Sequence, residues 1–138
     1  PPLDMNPMWL QGHVAYTMAK YNMSLCVLGM AAEYKGQIAV NALWPRTAIK
    51  TAAVKNVLGG DEMMKKSRDP QIMADAAHII LNKDKDKFSG NFVLDDSLLA
   101  EHGETDFSKY ADYPFAELIP DFFVPEDAYP VPQVVKDS

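Results

Sequence analysis

A single cysteine, Cys26, stands in the 138 residues, so no internal disulfide can staple the chain. It lies among apolar neighbours, which predicts a buried free thiol in an intracellular, reducing compartment rather than a nucleophile. The three histidines, His13, His78 and His102, are isolated in sequence, and no Cys/His/Asp group has metal-ligand spacing, so no metal site is predicted. No apolar run approaches the ~18 residues of a membrane span, and the first residues lack a charged-then-apolar leader pattern, so a soluble protein is expected. Basic residues are outnumbered, 13 Lys and Arg against 19 Asp and Glu, and a net charge of -6 excludes the positive face that a nucleic-acid backbone requires. Glycine is scarce too, and none of the seven glycines sits in the Gly-rich turn that cradles a phosphate after a strand.

What remains is a chain of ordinary domain size with 48% hydrophobic residues. Its longest signal runs from His13 to Gly36. Apolar residues recur three and four apart there, at Val14, Met18, Met23, Val27 and Met30, and Gly36 supplies the stop, which predicts one long helix. Tyr16 and Lys20 are four apart on that helix and therefore share a face. An ammonium beside a phenol favours the phenolate, and a phenol brought closer to working pH is a better proton donor and acceptor for a carbonyl/alcohol pair. The same spacing on an exposed helix face is equally what a solvated pair would show.

Ahead of the helix, residues 1–12 hold three prolines and read as a loop, with Met8, Trp9 and Leu10 covering the helix start or an apolar pocket beside Tyr16. The chain opens on Pro1 without an initiator Met, and it reads as a piece of a longer protein. After the helix, Gln37 to Trp44 is a short β-rich run closed by Pro45, and Phe88 to Asp95 predicts a second strand, with Gly90 where another backbone approaches closely. Between them lie a loop, a short helix, a joint at Gly59-Gly60, another short helix, and an amphipathic helix started by Asp69 and Pro70. The last has Ile72, Met73, Ala76, Ile79 and Ile80 on its stripe. Asp96 reads as the cap of a further short helix ending near His102. A helix feeding short strands in this order predicts an α/β fold with a parallel sheet. Residues 104–138 hold five of the ten prolines yet seven of the fourteen aromatics, so at least residues 107–123 should lie against a folded surface, followed by an acidic, proline-rich linker.

Several motifs now stand in one order. Tyr16-Thr-Met-Ala-Lys20, Asn41-Ala-Leu-Trp-Pro45, Arg68-Asp-Pro70 and Ser89-Gly-Asn-Phe-Val-Leu-Asp95 resemble successive signatures of the short-chain dehydrogenase/reductase family. The resemblance implies a doubly wound parallel sheet of the Rossmann type, represented here by its C-terminal half only over residues 1–103, with residues 104–138 as tail and linker. It implies an oxidoreductase using NAD or NADP, with NADP slightly favoured, on an apolar alcohol or carbonyl of steroid-like or fatty-acyl-like character. Tyr16 would exchange a proton with the substrate oxygen, and Lys20 would hold the nicotinamide ribose and lower the phenol pKa. Pro45, Ile49 and Thr51 would line the cofactor side, and Trp9, Trp44, Leu58 and Met63 the substrate side. A homo-oligomer and a peroxisomal location are implied as well, with mitochondrion or cytoplasm as the other compartments. The chain departs from the pattern in three places: Arg46 replaces the usual glycine after the proline, no serine precedes Ser24, and the Gly-rich dinucleotide loop is not among these residues. By itself the isolated stretch is accordingly expected to be inactive. The alternative is a non-catalytic α/β interaction or lipid-handling module that keeps the helix as scaffold.

Overall fold

Two short strands lie side by side in the computed structural model, which describes residues 1–125 and 127–138. β1 (Ala42–Trp44) and β2 (Phe92–Leu94) are parallel, with Ala42 opposite Phe92, Leu43 opposite Val93 and Trp44 opposite Leu94. The parallel α/β arrangement expected from the helix-strand alternation is therefore present. Each strand is shorter than its β-rich run. Outside the ladder the two runs are joined through Val40 and Asn41: Gly90 N–H donates to the Val40 carbonyl at 2.7 Å, Val40 N–H to Ser89 Oγ at 3.0 Å, and the Asn41 side chain donates to the Phe88 carbonyl and accepts from Asn91. Gly90 has φ +77°, and a Cβ there would meet Ala31 of the long helix at 3.4 Å, which is the close approach its position predicts.

The long helix, α1, spans Val14–Glu33. Its docked face is not the expected apolar stripe. Val14, Met18, Met23 and Met30 are exposed, whereas Thr17, Tyr21 and Ser24 are buried. The reason is hydrogen bonding: the hydroxyls of Thr17, Tyr21 and Ser24 donate to the carbonyls of Trp9, Asp4 and Pro1, lacing the helix to the segment that precedes it. Buried backbone carbonyls need donors, and this polar row supplies them. Cys26, turned away from that row, is exposed, which corrects the buried thiol expected from its neighbours.

Beyond β1 the chain forms a π-helical turn over Val54–Leu58, then α2 (Gly60–Lys65), hinged at Gly59 and Gly60 as their sequence suggests. In α3 (Gln71–Leu81), Asp69 Oδ1 accepts from Gln71 N–H at 2.9 Å, so the predicted cap acts just inside the helix start. The stripe of α3 faces inward. Ile72 and Ala76 form the main core with Leu98 and Leu99 of α4 (Asp95–Glu101), with Phe107 and Tyr110, and with Val135 of α5 (Gln133–Lys136). A second core, Trp9, Tyr21 and Phe123, lies under α1. Val135 is fully buried and thus ties the far end of the tail to the main core. Among the described residues, no helix is long and apolar enough to cross a membrane.

Candidate active site

The site begins with Trp9, whose indole N–H donates to Asp4 at 2.8 Å and whose ring is packed against Phe122 and Phe123. That anchors the loop ahead of α1 and backs the two rings, Phe122 and Phe123, against which Tyr16 lies in the first turn of the helix. Tyr16 is 47% exposed, and its ring is stacked parallel to Phe123 at 6.1 Å and tilted against Phe122 at 6.2 Å. Lys20 Nζ stands over the Tyr16 ring, 5.7 Å from its centre, and 6.0 Å from that of Trp44. Lys20 has no hydrogen-bond acceptor among the described residues.

Tyr16 opens into a cleft of about 670 Å³ lined by Trp9, His13, Leu58, Met63, Asp121 and Phe122, among others. Trp9, Tyr16, Leu58 and Met63 were read from the sequence as site residues, and the fold brings these four together from the first loop, α1, the π-helical turn and α2. Trp44 is placed elsewhere. It sits behind the cleft in the aromatic cluster, with its indole N–H donating to the Phe122 carbonyl at 3.1 Å. Pro45 follows β1 directly. Ile49 turns its side chain towards the main core, and Thr51 Oγ1 accepts from Val54 N–H at 3.3 Å, capping the next turn.

Asp121, Phe122 and Phe123 are the residues that sequence reasoning missed. They come from the tail, which returns along residues 46–48: Ala48 N–H donates to the Ile119 carbonyl and Asp121 N–H to the Arg46 carbonyl, each at 2.8 Å. The only local signal was a pair of adjacent aromatics between Pro120 and Pro125. Phe123 has φ +71°, a conformation that costs an aromatic residue on the order of 1–3 kcal/mol and persists only where the surroundings enforce it.

The electrostatics of the cleft differ from the expected picture. The Tyr16 phenol is pushed above its ordinary value, first by burial and then by the Asp121 carboxylate, whereas Lys20 meets the ring face. Asp121 is itself raised to about 6 by burial, against the opposing pull of the Phe122 N–H and of Lys20. A carboxyl raised in the folded state holds its proton there while the unfolded chain has released it. Stability therefore falls as pH rises from about 4 to about 6 and is level above that. Asp121→Asn should accordingly gain at most about 3 kcal/mol at pH 7.5 and almost nothing at pH 4. Urea unfolding at the two pH values checks this, and an equal gain at both would place the effect outside the titration.

The comparisons with known proteins point one way. No family model matches the chain. Over 126 residues it is 59% identical to hydroxysteroid dehydrogenase-like protein 2 of Xenopus laevis, covering 91% of this chain and 30% of that protein. A short chain dehydrogenase of Mycobacterium thermoresistibile superposes with a TM-score of 0.79 at 48% identity, over 91% of this chain and 44% of that one. The resemblance to short-chain dehydrogenases holds. A further solved structure, from Xanthomonas campestris, gives a TM-score of 0.82 at 48% identity over 91% of this chain and 46% of its own. The dehydrogenase-like stretch spans about 30% of the length of the Xenopus laevis relative and less than half of either solved chain.

Proposed function

We propose that this stretch is the proton-transfer and substrate-binding part of a nicotinamide-dependent oxidoreductase acting on an apolar alcohol or carbonyl compound, of steroid-like or fatty-acyl-like character. The observation that carries the reading is Tyr16, with Lys20 over its ring, opening into a mostly apolar cleft. Apolar walls with a few convergent polar groups favour a ligand whose body is hydrocarbon and whose one reactive oxygen must meet Tyr16.

The phenol proton of Tyr16 is the one positioned to pass to a substrate oxygen during reduction, and the phenolate to recover it during oxidation. Lys20 offers an ammonium with no acceptor of its own among the described residues, which suits it to a sugar's hydroxyls. We assign it the ribose of NAD or NADP, with NADP preferred. That cofactor supplies the hydride when bound. Trp9, Leu58, Met63 and Phe122 exclude water around the reacting oxygen, which strengthens the field of every charge in the cleft. These 138 residues of such an enzyme would not turn over alone, since no Gly-rich phosphate turn is among them.

The test uses the dehydrogenase carrying these residues, purified and assayed for reduction of straight-chain and cyclic ketones with NADH and NADPH. Turnover rising with the apolar length of the ketone is expected. Ordered binding of lipid without oxidation or reduction of any of these ketones would favour a lipid-handling module instead.

A further inference from the structure

Building on the oxidoreductase reading, we propose that Phe123 is a positioning residue for Tyr16: its ring is the flat seat that holds the phenol facing the cleft, and the neighbouring Phe122 forms the adjoining wall. Four aromatic rings from three separate stretches converge on Phe123. They are Trp9 at 5.6 Å, Tyr16 at 6.1 Å, Tyr21 at 5.3 Å and Trp44 at 5.9 Å. The planes of Tyr16 and Phe123 differ by 4° with their centres 6.1 Å apart, so the two rings lie parallel and offset. Phe123 is only 2% exposed, whereas Tyr16 is about half exposed. The phenol oxygen has no hydrogen-bond partner among the described residues, so the orientation of Tyr16 rests on its ring contacts.

The backbone supports the same assignment. A residue at φ +71° would be more comfortable as glycine or asparagine, yet a large aromatic stands there. The two residues just before it are fixed, Phe122 by the Trp44 indole N–H on its carbonyl and Asp121 by its own N–H on the Arg46 carbonyl. The tail is thereby fixed so that this ring, and not that of Phe122, lies parallel to Tyr16. Orientation matters because a displacement of about 1 Å at a reacting group can cost on the order of 100-fold in rate.

The experiment compares wild type, Phe123→Ala, Phe123→Leu and Tyr16→Phe in the full dehydrogenase, with a straight-chain 2-ketone and NADPH as probes. Phe123→Leu keeps the core filled while removing the flat face, and it decides the matter if Phe123→Ala fails to fold. The expected result is a kcat about 10- to 100-fold lower in the Phe123 variants, with NADPH affinity within twofold of wild type. The Tyr16 phenol, read by ultraviolet difference against the same variant carrying Tyr16→Phe, should titrate lower than in wild type, because loosening the stack admits water. A folded Phe123→Leu with kcat within twofold of wild type overturns the proposal, and so does a kcat that falls only in step with the folded fraction. Full turnover in Tyr16→Phe would instead overturn the oxidoreductase reading beneath it, so the two failures are told apart.

Discussion

Asp96→Ala loses about 3–5 kcal/mol of folding stability, enough to unfold much of a domain whose total stability is about 5–15 kcal/mol. Asp96 is fully buried and receives both arginines of the interior. Arg46 Nε donates to both of its carboxylate oxygens at 2.8 Å, and Arg68 Nη1 donates to Oδ2 at 2.9 Å. The side chains of Arg46 and Arg68 are 5% and 1% exposed, so neither guanidinium can turn to water once its partner is gone. Asp95 beside it holds a different set of partners. It is pushed up to about 7, first by burial and then by the Asp96 charge, and it serves the Arg46 and Asp96 backbone N–H groups through Oδ1. Breaking a buried ion pair from one side leaves an uncompensated charge, whereas replacing all members by apolar groups can be neutral. Arg46→Met, Arg68→Met and Asp96→Leu together should therefore unfold at higher urea than Asp96→Ala alone. A loss below about 1 kcal/mol in Asp96→Ala would show that water reaches the cluster.

That cluster also explains why Asp96 reads as a helix cap in the sequence. The cap pattern is local, an acidic residue ahead of Leu98 and Leu99, whereas its true partners lie 50 and 28 residues away. Arg46, which stands where the family resemblance expects glycine, is the same case. Its guanidinium belongs to the interior, and its Nη1 donates to the Tyr129 carbonyl at 2.8 Å, fastening the tail. The position of α1 is legible because no proline interrupts residues 14–33 and Gly36, at φ +78°, turns the chain shortly after Glu33. Its docked face is not, because apolar side chains occur all round the helix and three hydroxyls decide the packing. The strands are legible in place but not in length, since pairing rather than composition sets where a ladder stops. Trp9, Tyr16, Leu58 and Met63 could be gathered from the motif order. Asp121 to Phe123 could not, because nothing in a proline-broken tail says which surface it covers.

Tyr16→Phe in the full dehydrogenase lowers kcat by about 100- to 10,000-fold while leaving cofactor affinity near normal. The ring still stacks on Phe123 and Phe122, so the variant keeps the packing and loses only the hydroxyl that donates the proton. Lys20→Ala acts differently. If Lys20 holds the ribose as proposed, its loss weakens cofactor binding, and the activity-pH profile moves upward, because the phenol, already raised by burial and by Asp121, loses the positive charge over its ring. Asp121→Asn then supplies the opposite sign: with the carboxylate gone the phenol ionises more readily, and the profile moves down. If Tyr16 and Lys20 were only scaffold, both substitutions would act through stability alone, and turnover per folded molecule would stay constant. Steady-state kinetics across pH on folded Tyr16→Phe, Lys20→Ala and Asp121→Asn reads all three. Opposite displacements for Lys20→Ala and Asp121→Asn, with turnover abolished in Tyr16→Phe, are what a phenol acting between an ammonium and a carboxylate produces. Unchanged turnover in Tyr16→Phe would end the proton-transfer role.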